Sequence, residues 1–570
     1  MTAPGFVHGL FFGEVADDLV ASYPGLAGTE RERVLGLLGA VRELAARVID
    51  SERIDSEREI DEPVFEALRG AGLFGLGIPA EAGGGGLSMF AQARVLQEVA
   101  AHDASVAVML AAHVATGART IVVAGTPEQK ARLLPPLARG EVLAAFALTE
   151  RESGSDPETL RTVAEPHPDG GYVLRGSKPW VTNGDRAGLV AVVARTNPLE
   201  AGLRARLGVF IVERGEGVRS GGRRDTSGVR GAHVCTLELD GVRVPAGALI
   251  GAVGDGIGVA REVLRDARIL LAAAGVGQCR ATVNLLVQRL VDRRSVGRSI
   301  GEYSILKDRL VRALADTFAV ESLVYLAAGL ADRGADVTLE SLAARVAVSE
   351  ALQRVVGEAL QVGAAGAYVR PHPLERQMRD ARAWLLLDGT NEVLRGRLAL
   401  GGVRGPADRR DRDREVLAEP VKGLSQLREL AIRSVRERFQ RPRPVSAHPA
   451  LAREAAAYEA AVDRLGKAVE RLVREHGTEL VEKQNTQARL ANVAIDLFAM
   501  AAVLSRTTAA LRARGEAGSR RELDLATIFS GAAERRVNAG LTGLERNDDE
   551  LRKAIAGRTY EDGGYPFDVV

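Results

Sequence analysis

A chain of 570 residues, 46% hydrophobic and 26% charged, is long enough for about four domains with large buried cores, which excludes a single small module. Its formal net charge of +1 gives no whole-chain attraction to nucleic acid or to an anionic membrane surface. Two cysteines, Cys235 and Cys279, far apart and without a CxxC pair, exclude a disulfide framework and a thiolate metal site and point to a reducing compartment.

The opening MTAPGFVHGLFFGEVADD has no basic stretch and soon turns acidic, so it does not read as a secretory signal. The uncharged apolar stretches at 104–118 and 269–279 fall short of the roughly 18 residues a membrane span needs, and no transmembrane helix is expected. From 30 to 134 apolar residues such as Val34, Leu37, Leu38, Val41, Leu44 and Val48 recur at helical spacing, broken at Pro79, at the Gly83 to Gly86 run and at Gly125-Thr126-Pro127. From about 140 the period changes to short β-branched runs, YVLRGS, LVAVVAR, GVFIVE and HVCTLELDGVRVP, separated by turn residues. Helical spacing returns after Gly254-Asp255-Gly256-Ile257-Gly258 and persists to about 400, with breaks at Gly297, Gly334 and Pro371 to Pro373.

Residues 403–423 alternate charge signs and contain two prolines, and RPRPVSAHP at 441–449 is a second break, so a solvated linker is expected there. Beyond it Leu490, Val493, Ala494, Leu497, Phe498, Ala501 and Leu504 repeat as one packed helical face. The expected fold class is α+β: an N-terminal helical domain over 1–139, a middle β-domain over 140–255, a second helical bundle over 256–402, a linker over 403–424 and an extra C-terminal helical domain over 425–570.

Three segments carry candidate chemistry. FALTERESGSDPETLRTVA (146–164) and GSKPWVTNG (176–184) crowd hydroxyls and small polar residues at strand ends, which suits a planar hydrogen-bonding cofactor. In the third, 361–400, the apolar run Ala383 to Leu387 delivers Asp388 beside Gly389-Thr390, where desolvation would raise a carboxyl pKa and make a general base. Taken alone, without the other two segments, Asp388 reads better as a turn or N-cap residue than as a base. Gly254, Gly256 and Gly258 follow GxGxG without a βαβ unit and do not make a dinucleotide loop. His102, His113, His167, His233, His372 and His448 lack metal-ligand spacing, and no metal is expected.

Together the three segments resemble the acyl-CoA dehydrogenase family, whose middle domain carries ALTEP-x-x-GSD and K-x-W-x-TNG and whose second helical domain carries E-G-T. LELDGVRVPAGALIG (237–251), DRRSVGRSI (292–300) and ERQMRDAR (375–382) support the match over 1–400. KQNTQARLANVAIDLFAMAAVLSRTTAAL (483–511), FVHGLFFGEV (6–15) and VLRGRLALGGVRG (393–405) are similar to the very-long-chain branch, which also contains a respiratory-complex assembly factor.

The resemblance implies an FAD enzyme that removes the α-proton of an acyl thioester with a carboxylate while the β-hydride goes to the flavin, giving a trans-2-enoyl product. It places Leu148, Thr149, Trp180 and Thr182 at the flavin ring, Ser155 toward both cofactor and pantetheine, and Arg268 and Gly389 at the substrate. Arg293, Gln361, Gly363, Thr390 and Glu392 complete the cofactor site, with Arg293 acting on a neighbouring subunit's FAD, so a homodimer is implied. The expected substrate is an acyl-CoA or an acyl-carrier protein, the expected electron acceptor an electron-transfer flavoprotein or similar, and the expected location cytoplasmic; membrane association is not supported by the charged 403–423 segment.

Departures bear on the reading. The family's Glu is Asp388, one methylene shorter, and a misplacement of about 1 Å can cost on the order of 100-fold in rate. The alternative base position on the preceding helix is Ala267, and adjacent Asp266 should point about 100° away from it. Val296 replaces an aromatic, and Arg151 replaces the turn proline. Two other readings remain open: a weak or inactive assembly or scaffold flavoprotein, and a flavin oxidase acting on another carbon acid. The segment Val108 to Val123 is expected along the acyl tunnel, with Arg119 and Thr120 near its floor.

Overall fold

The computed structural model of the chain describes residues 5–198, 204–418 and 446–568. They fall into two compact units, Ser22–Leu394 with Gly5, and Phe6–Ala21 with the chain from Arg395 onward. The opening helix α1 (Phe6–Leu10) and α2 (Asp17–Val20) belong to the second unit, not to the N-terminal helical domain in which the linear order put them. The cause is apolar burial: Phe6, Val7, Leu10 and Phe11 are buried, and Phe6 packs on Phe498 with ring centroids 5.6 Å apart.

In the first unit, helices α3 (Gly28–Val48), α4 (Ser51–Glu57), α5 (Glu62–Gly70) and α6 (Met89–His102) lead to an apolar run. That run is α7 (Ala104–Ala111), a π-helical turn at Ala112–Gly117 and α8 (Ala118–Ala124), followed by α9 (Pro127–Ala138). The β-domain follows as β1 (Ala144–Ala147), β2 (Val163–Pro166), β3 (Tyr172–Val181), β4 (Leu189–Arg195), β5 (Leu207–Glu213), β6 (Val218–Arg223), β7 (Cys235–Val244) and β8 (Leu249–Ile250). They form one eight-stranded sheet in the order β6-β7-β3-β2-β4-β5-β8, with β1 parallel to β4.

β4 explains why the sheet sits between helices. Leu189, Ala191 and Val193 face Ile121, Leu134, Leu137 and Val263 of the surrounding helices, while Val190, Val192 and Ala194 face a cluster with Leu174, Leu237 and Leu239. A strand buried on both faces has no polar alternation, and LVAVVAR has none.

The helical bundle of this unit is α10 (Gly256–Asp292), α11 (Ser304–Asp332), α12 (Thr338–Gly363) and α13 (Pro373–Trp384), with α10 packed on α6, α11 and α12. Gly256 opens α10, and a Cβ there would lie 2.7 Å from the Leu207 carbonyl group. Within the Gly254 to Gly258 run the close helix-to-sheet approach is at Gly256, since a Cβ at Gly254 or Gly258 would meet nothing within 4 Å. Helix α14 (Asn391–Ala418) begins in this unit and continues past Arg395. Residues 403–418, expected as linker, are thus helical, because alternating charges also suit a solvated helix face. Residues 419–424 of that linker, and 425–445 of the expected C-terminal domain, lie outside the described residues.

The second unit further contains α15 (Ala452–His476), α16 (Gln484–Gly518), α17 (Arg520–Glu545) and α18 (Asp549–Asp562), with α16 packed on α17 and α15 on both. Four segments, Ala104–Ala124, α10, α11 and α16, are long and apolar enough to cross a membrane, unlike the shorter uncharged runs seen in sequence. In the protein 78–83% of their apolar windows is buried inside the fold.

His113, on the π-helical turn, is fully buried: Nε2 lies 3.1 Å from the Leu137 carbonyl, and Nδ1 accepts from the Ala144 amide at 2.9 Å. Burial pushes its pKa from 6.5 down to about 4. Between those values the unfolded chain binds a proton that the folded chain refuses, so stability present above pH 6.5 is lost as pH falls through 4, by up to about 3 kcal/mol. Denaturant midpoints measured from pH 7 to 4 should show this slope, and His113→Gln should flatten it.

Candidate active site

The first group of expected residues gathers where β1 and β3 end. β1 emerges into Leu148 and Thr149, and the chain then turns back, with the Glu150 amide donating to the Ser153 carbonyl at 2.9 Å. Beneath this turn the Lys178 ammonium, fully buried, donates to the Leu148 carbonyl and to Glu150 Oε1, each at 2.8 Å. Glu150 also accepts from the amides of Arg161 (2.7 Å) and Thr162 (2.9 Å). Desolvation pushes Lys178 down to about 8. Burial acting alone would raise the Glu150 carboxyl, but Lys178 and the amides hold it below its ordinary value.

Lys178 and Trp180 are two residues apart on β3, yet the lysine is buried and the indole is 55% exposed. A β-bulge separates them: Lys178 pairs with Leu237 and Val181 with Cys235, so Pro179 and Trp180 oppose Thr236 alone. Proline, which has no N–H to give to a ladder, fits that position. Thr182 follows, and then Asn183, in the left-handed region at φ 62°, donates from Nδ2 to the Met109 carbonyl at 2.9 Å. The Thr149 and Thr182 hydroxyls make no hydrogen bond among the described residues, and Ser155 is exposed. Two uncommitted hydroxyls beside an exposed indole face suit a flat ligand with polar edges.

The second group surrounds Asp388. The turn after α13 puts Asp388 at φ 58° and Gly389 at φ 105°. Two successive left-handed residues make a sharp corner that aspartate tolerates better than most side chains. Asp388 is half-buried and its Oδ2 is buried without a hydrogen-bond partner. Burial raises its pKa, while Arg268 of α10 and Arg345 of α12 act in the opposite sense. Gly389 and Glu392 are exposed and Thr390 is half-buried, its carbonyl accepting from the Leu394 amide at 3.0 Å. Asp266 is no rival base. It is buried, with Oδ2 held by Arg119 at 2.7 Å and Oδ1 by Arg265 at 2.8 Å.

The two groups are linked through α13. Asp380 Oδ1 accepts from the Val229 amide at 2.6 Å, and Arg379 donates to the Ser227 carbonyl at 3.0 Å, tying the helix that precedes Asp388 to a loop of the β-domain.

A third group lies at the C-terminal ends of α10 and α12. Arg289 Nη2 donates to the Gly363 carbonyl at 3.2 Å, bringing exposed Arg293 and exposed Gln361 to neighbouring helix ends. Gln361 lines a cleft of about 310 Å³ with Arg309, Arg312, Arg354 and Glu358. No hydrogen bond or ion pair among the described residues joins Arg293, Gln361 or Gly363 to the Trp180 or Asp388 groups. Val296, at φ 50° in the hairpin between α10 and α11, is 91% exposed.

Sequence reasoning quoted Lys178 inside a motif without giving it a role, and missed Glu150, Arg345 and Ser349. One signal was present: only seven of the 76 basic residues are lysines, so a lysine in a strand of this chain stands out.

Sequence models of four domains match the chain: acyl-CoA dehydrogenase N-terminal domain (32–141), middle domain (145–242) and C-terminal domain (254–402), and the ACAD9/ACADV C-terminal domain (449–565). The mitochondrial very long-chain specific acyl-CoA dehydrogenase of Homo sapiens is 31% identical over 573 residues, covering 97% of this chain and 87% of that protein. An acyl-CoA dehydrogenase from Bacillus anthracis, complexed with FAD, has a TM-score of 0.81 at 24% identity over 98% of this chain and 94% of its own. Butyryl-CoA dehydrogenase from Megasphaera elsdenii has a TM-score of 0.62 at 29% identity over 65% of this chain and 97% of its own.

Removing one member of a buried ion pair strands the other charge. Lys178→Met should lower unfolding free energy by about 3–5 kcal/mol, and adding Glu150→Gln should restore part of the loss, as read from denaturant titrations.

Proposed function

Because this chain belongs to the acyl-CoA dehydrogenase family, we propose that it oxidises the Cα–Cβ bond of an acyl thioester to the trans-2-enoyl thioester, with FAD as cofactor and Asp388 as the base. The observation that carries this reading is the turn at Asp388: a desolvated carboxylate with an unpartnered oxygen, aimed by two left-handed residues and faced by two buried arginines. Bound FAD supplies the acceptor for the hydride that leaves the β-carbon. Leu148, Thr149, Ser155, Trp180 and Thr182 are proposed to hold its ring end, and Arg293, Gln361, Gly363, Thr390 and Glu392 the rest. The free hydroxyls and open indole fit that group.

The chain's own residues do the following. Asp388 accepts the α-proton on a carboxylate oxygen. Burial raises its pKa, which makes it a stronger base than an exposed aspartate, while Arg268 and Arg345 act against that rise. The α C–H is too weak an acid unless the thioester oxygen is polarised, and the backbone N–H of Asp388 is proposed as one donor. Arg268, buried two residues after Asp266, is proposed to lie along the pantetheine chain with Ser155 and Gly389.

The shorter base arm suits a substrate whose α-carbon sits deeper than in Glu-bearing relatives, with CoA or a carrier protein as the thiol. Arg293, Gln361 and Gly363, joined to the other groups by no hydrogen bond or ion pair among the described residues, are proposed to serve a second copy's cofactor in a homodimer. An electron-transfer flavoprotein is the proposed acceptor.

Anaerobic addition of acyl-CoAs and acyl-carrier proteins should bleach the flavin's yellow absorbance, and Asp388→Asn should abolish bleaching while FAD stays bound. A broad panel that leaves the flavin oxidised would favour the assembly or scaffold reading. The chain has two tryptophans, Trp384 buried and Trp180 exposed. FAD added to apoprotein should therefore quench a red-shifted emission that Trp180→Phe removes.

A further inference from the structure

The corner that carries Asp388 is gripped from one side by a single helix. Arg345 and Ser349 are one turn apart on α12. Arg345 is fully buried, and its Nη2 donates to the Leu387 carbonyl, immediately before Asp388, at 2.8 Å. Ser349 Oγ pairs with the Asn391 side-chain amide at 2.9 Å, just after the turn, and Asn391 also reaches Glu350 at 3.4 Å. The five residues from Leu387 to Asn391 are therefore pinned at both ends to α12.

The two pins differ in chemistry. A serine would be enough to fix a loop. Arg345 carries a charge into a place where nothing neutralises it by contact, and its Nε and Nη1 are buried with no hydrogen-bond partner among the described residues. Asp388 Oδ2 is in the same condition. The two groups are charge neighbours, each acting on the other, without closing into a hydrogen-bonded pair. The other charged group facing Asp388 is Arg268, from α10.

A guanidinium used only as a loop pin would leave most of its donors wasted in an apolar interior. The same group held a short distance from a carboxylate stabilises its ionised form without capping the oxygen that must take a proton. A closed pair would block the base, and no cation at all would let burial neutralise it.

We propose that Arg345 is the positioning residue of the Asp388 base: through the Leu387 carbonyl it sets where the carboxylate stands, and through its free guanidinium edge it favours that carboxylate's ionised form. This deepens the base assignment made for Asp388 and rests on it. Arg345 does not touch substrate.

Two measurements test it. The first is the pH profile of anaerobic flavin bleaching in FAD-loaded protein. Arg345→Gln should move the acid limb up by about one pH unit or more, while Arg345→Lys, which keeps the charge, should hold the limb near its original place even if the rate falls. An unmoved limb in Arg345→Gln would overturn the proposal and reduce Arg345 to a loop pin.

The second needs no turnover. Melting temperatures are compared for Arg345→Gln made alone and made on top of Asp388→Asn. At pH 8 the arginine change should cost more when Asp388 is present than when it has been replaced, and at pH 4 the difference should shrink. Equal costs at both pH values would also overturn it. If Asp388→Asn still bleaches flavin, the base assignment falls, yet this cycle still reports whether the two charges face each other, so the two failures are separable.

Discussion

A charged group carried from water into a protein interior loses several kcal/mol of solvation, which contacts in the fold have to offset. This chain does so repeatedly, and each time the compensation shapes the candidate site. Lys178 is offset by Glu150 and the Leu148 carbonyl, which fixes the turn after β1. Asp266 is offset by Arg119 and Arg265, which silences it as a base. Arg345 and Asp388 are only partly offset, with unbonded atoms on both sides. The incompletely matched pair is the one that includes the proposed base, and the fully matched pairs are scaffolding.

The scaffold follows from the same logic at larger scale. β4 is buried on both faces, so helices are committed to one side of the sheet and a cluster drawn from the β-domain itself to the other. That arrangement places the ends of β1 and β3 within reach of each other, and the bulge before Val181 sends Lys178 inward and Trp180 outward. α13, bonded to the loop at Ser227–Val229, then carries the chain to the Asp388 corner.

Much of this was legible in sequence for reasons that can be named. The helical runs showed as period, and β4 showed as an unbroken apolar string because both its faces are covered. β1, β2, β6 and β8 were not singled out: three are only two to four residues long, and VRSGGR of β6 has a single buried residue and no alternation to read. The Asp388 turn was visible because aspartate and glycine follow an apolar run. Arg345 was invisible because an arginine among Ala, Val and Leu on a helix has no local partner. Its partners lie at Leu387 and Asp388, more than forty residues away, and only the packing of α12 on α13 brings them together. The linker expectation failed over 403–418 because alternating charge marks solvent exposure, which a helix face shares with a loop.

The second unit is built from both ends of the chain: Phe6–Ala21 packs with helices that begin beyond residue 446. During synthesis the partners of the Phe6–Ala21 segment, which begin beyond residue 446, emerge long after it. At roughly 5–20 residues per second, Phe6, Val7, Leu10 and Phe11 stay without their partners for on the order of half a minute to more than a minute. These early residues are thus among the last to find their place, and for that interval four apolar side chains lack the cover that the finished fold gives them. Keeping that segment available until its partner helices arrive is a demand that the finished fold places on its own biogenesis.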